Sequence, residues 1–94
     1  MRKYLITGLL LSVTLALADD SKISPDLRKY SGPQATVVVQ YSKPPSLLDL
    51  RLITTLTGSI LSQLPLVNGI VASLPLSKIL VLSNQDNVKY ITLD

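Results

Sequence analysis

The chain has 94 residues, room for one domain, and carries nine Lys and Arg against six Asp, a formal net charge of +3. It contains no His, no Cys and no Glu. That composition excludes disulfides and thiol or imidazole chemistry, and it leaves few ways to assemble a nucleophile with its base or a cluster of metal ligands.

Arg2 and Lys3 open the chain, Leu5 to Leu15 is apolar with Thr7, Gly8, Ser12 and Thr14 interrupting, and Ala16-Leu17-Ala18 sets small residues where a signal peptidase cuts. This anatomy predicts a signal peptide over residues 1–18 and a product secreted to an extracellular or periplasmic space. The apolar run is shorter than the roughly twenty residues a spanning helix needs, so no membrane association is expected after cleavage. Without Arg2 and Lys3, seven Lys and Arg face six Asp, and Lys22, Arg28, Lys29, Lys43, Arg51, Lys78 and Lys89 are scattered as on a solvated surface. Such a near balance is not the footprint of a nucleic-acid binder. A mature chain of about 76 residues without a disulfide has a core of marginal size. Part of its stability is therefore expected to come from a partner that binds only the folded form.

Residues 19–34 are polar and hold Ser24-Pro25, Ser31-Gly32 and Pro33. They read as a flexible lead-in with at most a helical turn from Pro25 to Tyr30. The domain proper spans 35–94. Ala35 to Tyr41 is β-branched and aromatic and forms the first strand, apolar on both faces and so expected inside a sheet. Ser46 and Asp49 have the spacing of a capping box, and a helix is expected from Leu47 to about Thr57, stopping at Gly58, with Leu48, Leu52, Ile53 and Leu56 at helical spacing. Leu47 and Leu50 widen that apolar arc.

Ser59 to Val67 is read as the second strand and Ile70 to Leu74 as the third, with Asn68-Gly69 at a type I′ bend between them. Pro65 cannot donate to a ladder, so the second strand is bulged there or lies at an edge. Leu76 to Leu82 has helix-compatible spacing, Ser83 to Asn87 forms a stop and turn, and Val88 to Leu93 is the fourth strand. The order strand, helix, strand, strand, helix, strand defines an α+β, ferredoxin-like βαββαβ fold. Right-handed crossovers bring the first and third strands to the centre of a four-stranded antiparallel sheet, with two helices on one face. The other sheet face is left uncovered.

Within the domain and away from its ends only Asp49 and Asp86 are acidic, one suited to a helix cap and one to a turn. No phosphate-binding Gly-rich loop and no set of metal ligands is present, so an enzyme, a cofactor and a metal are not expected. A ferredoxin-like sheet can also bind single-stranded RNA, but that needs aromatic platforms in a basic groove. Here the central strands carry one Tyr between them, and no nucleic-acid partner is expected.

Thr36-Val37-Val38-Val39-Gln40-Tyr41, the stretch Leu64 to Pro75, and Asp86-Asn87-Val88-Lys89-Tyr90-Ile91 together resemble the propeptide, or inhibitor, domain of subtilisin-like serine proteases. They match its opening strand, its central hairpin and its closing turn and strand, the last often written as Asp or Pro, a small residue, Val, any residue, Tyr, then Val or Ile. Ser21 to Leu27 also resembles the lead-in of some secreted bacterial members. No single piece is specific alone; their order and spacing give the weight. The resemblance implies a non-enzymatic protease inhibitor or folding chaperone, monomeric when free, whose partner is a subtilisin-family serine protease. It implies that the open sheet face packs on two surface helices of the protease and that Tyr90, Ile91, Thr92, Leu93 and Asp94 lead toward the substrate cleft. An apolar exposed sheet face of several hundred Å² is a usual interaction surface, and strand pairing in a cleft supplies main-chain hydrogen bonds. Which strand parity faces the protease stays open, since Val37, Val39 and Tyr41 compete with Val38 and Gln40.

Family propeptides usually continue several residues past the position of Asp94 before their cleavage point. The end of this sequence is therefore expected to weaken active-site blockade, and it leaves an inhibitor acting in trans, a chaperone for a separately encoded protease, or a gene remnant as readings. The reading from a different class is a small secreted ferredoxin-like structural or ligand-binding domain without inhibitory activity.

Overall fold

A computed structural model describes residues 20–94, so the expected signal peptide at 1–18 lies outside the described residues. Four strands form one antiparallel sheet: β1 (Gln34–Tyr41), β2 (Ser59–Leu64), β3 (Gly69–Pro75) and β4 (Val88–Leu93), in the spatial order β2-β3-β1-β4. Three α-helical segments accompany them, α1 (Pro25–Lys29), α2 (Leu47–Thr55) and α3 (Ile79–Ser83), the last continuing a 3-10 turn at Leu76–Lys78. From β1 onward this is the expected ferredoxin-like βαββαβ arrangement, with β1 and β3 central.

Alternation along β1 settles its parity. Ala35, Val37, Val39 and Tyr41 are buried while Thr36, Val38 and Gln40 are half-buried, the period of two that a pleated strand imposes. Val39 stands opposite Ile70 on β3 and Ile91 on β4, so residues of one parity share a face across the sheet. The helices meet that face: Ile53 and Leu56 of α2 and its C-cap, Ile79 and Leu82 of α3, and Leu27 of α1 join the strand residues in one apolar cluster.

The helical turn expected from Pro25 to Tyr30 is present as α1, and the lead-in that carries it packs on the domain. Ser24 caps α1, its hydroxyl accepting from Leu27 N at 3.3 Å, and Pro25 sits at the first helical position, where a missing N–H costs nothing. Ile23, bridged to Ile91 before the cap, and Leu27 inside the helix are both buried, 4% and 2% exposed. Polar composition hid two apolar anchors.

Helix α2 starts with the expected capping box: Ser46 Oγ accepts from Asp49 N at 3.2 Å, and Asp49 Oδ2 accepts from Ser46 N at 2.8 Å. Of its apolar arc, Ile53 and Leu56 are buried, whereas Leu47 and Leu48 remain largely exposed. Its stop differs by one residue from the expectation. Thr57, not Gly58, takes the left-handed conformation with φ 64°. The N–H groups of Thr57 and Gly58 donate to Thr54 O and Ile53 O at 3.0 and 2.9 Å, the two bonds of a Schellman motif. Gly58 is needed for space: a Cβ there would lie 2.6 Å from Leu74 Cδ2 and 2.8 Å from Ser73 O.

The hairpin is also longer than an Asn-Gly bend. β2 ends at Leu64, Pro65–Val67 makes a 3-10 turn, and Asn68 alone has a left-handed backbone, with φ 53°. Gly69 already pairs with Leu64 in the ladder. The fixed φ of Pro65 suits the first position of such a turn and not a strand interior, which moves the bend back along the chain.

Candidate docking face and C-terminal strand

The sheet surface away from the helices is built in rows across paired strands. The central row runs Ser62, Val71, Val38, Thr92; flanking rows hold Ser59, Ser73 and Thr36 on one side and Leu64, Gly69, Gln40 and Tyr90 on the other. No described helix contributes a residue to this surface. It is not the broadly apolar face expected from composition. Short hydroxyl-bearing residues predominate, two valines lie at its centre, and none of these side chains carries a charge. In fact no charged residue occurs from Leu52 to Ser77, a segment that covers the end of α2, all of β2 and all of β3. A surface of short, uncharged side chains has little desolvation cost to overcome and lets another element approach the strands closely.

The five C-terminal candidates do not share one environment. Tyr90 and Thr92 are half-buried on the open face, opposite Gln40 and Val38. Ile91 is fully buried among the core residues and Leu93, opposite Val37, packs against their rim. Asp94 is exposed, and its N–H donates to Thr36 O at 2.9 Å. Ile91 therefore cannot touch a partner of the folded domain; Tyr90, Thr92 and Asp94 can. The period of two that places β4 in the sheet divides the candidates between core and surface.

The two sheet edges differ. β2 is one edge, with a register irregularity between Ile60 and Ser62 that leaves Leu61 exposed. At the other edge the lead-in lies alongside β4: Ile23 bridges Ile91 in parallel and Ser24 N donates to Ile91 O at 2.9 Å. Lys22 Nζ adds a bond to Gln85 O at 3.1 Å, in the turn before β4. Sequence reasoning missed this contact, although Ser24-Pro25-Asp26 has the residue types of a helix start, because the bridge from Ile23 to Ile91 joins segments far apart in the chain.

Among the described residues two titratable groups are shifted. Burial, reinforced by the nearby Asp49 carboxylate, pushes the Tyr41 phenol up to about 12. The Ser24 hydroxyl holds the Asp26 carboxyl below its ordinary value, a second sign of the ordered start of α1. The Tyr41 hydroxyl is buried without a hydrogen-bond partner among the described residues.

Among the described residues no group of three or more His, Cys, Asp or Glu could hold a metal ion, and no helix is long and apolar enough to cross a membrane. Compared with protein-family models, curated proteins and solved structures, the chain matches none.

Proposed function

We propose that this chain is a secreted, non-catalytic domain that binds a subtilisin-family serine protease, acting as its inhibitor, its folding chaperone or both. The observation that carries the reading is the open sheet face, uncharged at its centre around Val38 and Val71, with Tyr90 and Thr92 of the last strand lying on it and Asp94 exposed at its end. Such a face suits packing of two partner helices: most of its side chains are short, and burying its centre strands no charge, since the one carboxylate, Asp94, lies at its edge. The apolar centre ringed by hydroxyl and amide groups also has the layout of a protein interface, a dry core within a polar rim. The segmental resemblance of β1, the β2-β3 hairpin and β4 to subtilisin propeptides supplies the class of partner.

Binding would also stabilise the domain by mass action, which suits a small core without disulfides. The test is titration of the chain, from Asp19 onward, against a purified subtilisin-family protease, with a parallel assay of refolding of an enzyme lacking its propeptide. Saturable slowing of substrate hydrolysis or faster recovery of activity is expected. If neither rate changes up to the solubility limit of the chain, the reading is wrong.

A further inference from the structure

We infer that residues 20–30 are a strap that holds β4 on the sheet, so that release of the strap loosens the C-terminal strand and lowers affinity for the protease while leaving the β1-β3-β2 part of the sheet formed. The inference concerns control of the docking face and, in its affinity clause, rests on the function proposed above.

β4 has β1 on one side only, and their register shifts between Gln40 and Tyr41. On its outer side Ser24 N donates to Ile91 O, and Lys22 reaches Gln85 just upstream. The pairs β1-β3 and β2-β3 involve no strap residue. Losing the strap would therefore turn β4 into an irregular edge strand, while the other three strands keep their ladders.

The strap is also built to come away more easily than the rest. It is joined to β1 through Ser31 and Pro33, both exposed. Beneath it runs an apolar groove of about 220 Å³ between Leu27 and Tyr30 on the strap and Leu76, Ile79 and Leu80 on the body. Ile23 and Leu27 are its two anchors.

The test uses Ser24→Pro and Leu27→Asp in the otherwise intact chain. Ser24 has φ −65°, the value proline prefers, so Ser24→Pro removes the N–H that bonds Ile91 while keeping that φ. Ser24→Ala is the control, since it loses the helix cap but keeps that N–H. Amide exchange is followed for Tyr90, Thr92 and Asp94 and, for comparison, across β2 and β3. Ser24→Pro with Leu27→Asp is expected to speed exchange in β4 about tenfold more than in β2-β3 and to weaken protease binding, with Ser24→Ala, which keeps the bond to Ile91, giving a smaller effect on both. Equal acceleration throughout the sheet, no acceleration in β4, or a loosened β4 with unchanged affinity would each overturn the inference. Absence of binding by the unsubstituted chain would instead remove the docking reading, and the exchange pattern alone would then decide whether the strap holds β4.

Discussion

The side-chain amide of Asn87 donates to Asp49 Oδ2 at 3.0 Å, joining the turn before β4 to the first turn of α2. The same carboxylate oxygen accepts from Ser46 N and Ser46 Oγ at 2.8 and 3.1 Å, and Asn87 Oδ1 accepts from Lys43 N at 3.0 Å. One residue, read in the sequence only as a cap, thus ties both strand-helix-strand units together at one end of the sheet.

Replacing it removes the reciprocal cap and the partner of Asn87 together. Asp49→Ala is expected to lower unfolding free energy by about 1 to 2 kcal/mol, and Ser46→Ala by about 1 kcal/mol, because the latter leaves the Asn87 bond in place. Urea denaturation of both variants checks the order; equal losses would mean that the Asn87 link contributes nothing.

Tyr41 predicts an alkaline signature. Its phenol ionises near 10 in the unfolded chain and at about 12 in the fold. The unfolded state therefore releases that proton first, and stability present below pH 10 falls as pH rises from 10 to 12. Tyr41→Phe removes the slope and also an unpartnered buried hydroxyl, so it is expected to be more stable than the parent by about 1 kcal/mol at neutral pH. Denaturation at pH 7 and pH 11 measures both effects.

The end of α2 makes opposite predictions at adjacent positions. Gly58→Ala drives a methyl into Leu74 and the Ser73 carbonyl and is expected to cost about 1 to 3 kcal/mol. Thr57→Gly relieves a β-branched residue of its left-handed backbone and is expected to add about 0.5 to 1 kcal/mol. Thermal unfolding should therefore show a Tm shift of opposite sign for the two.

Much of the fold was legible because several local signals agree. The β-branched run of β1, the Ser46/Asp49 box and the Val88–Leu93 strand each combine propensity, spacing and boundary residues that favour one conformation. The misses have a shared cause in contacts between distant segments. Gly58 looked like a helix stop because glycine commonly is one, whereas its need for space comes from Leu74 and Ser73 across the fold. Asn68-Gly69 looked like a two-residue bend until Pro65 imposed a turn of its own. The lead-in looked mobile because Ile23 and Leu27 are isolated in polar sequence, and their burial depends on β4 and α3 being folded. At the candidate site, Tyr90 to Asp94 could be named from the sequence, but only strand parity separates the buried Ile91 from the accessible Tyr90 and Thr92.

If the protease docks on the open sheet face, charge placed there must weaken binding. Val38→Arg and Val71→Arg add guanidinium groups at the centre of the face, where both residues are half-buried on the side away from the core; Val81→Arg, at an exposed position of α3, is the control. Dissociation constants for a catalytically inactivated subtilisin-family protease are measured for each variant, with circular dichroism to verify the fold. Either open-face arginine is expected to weaken binding at least about tenfold while Val81→Arg leaves it within about twofold, as for an uncompensated charge in an interface core. Folded open-face variants that bind as tightly as the parent would contradict docking on that face.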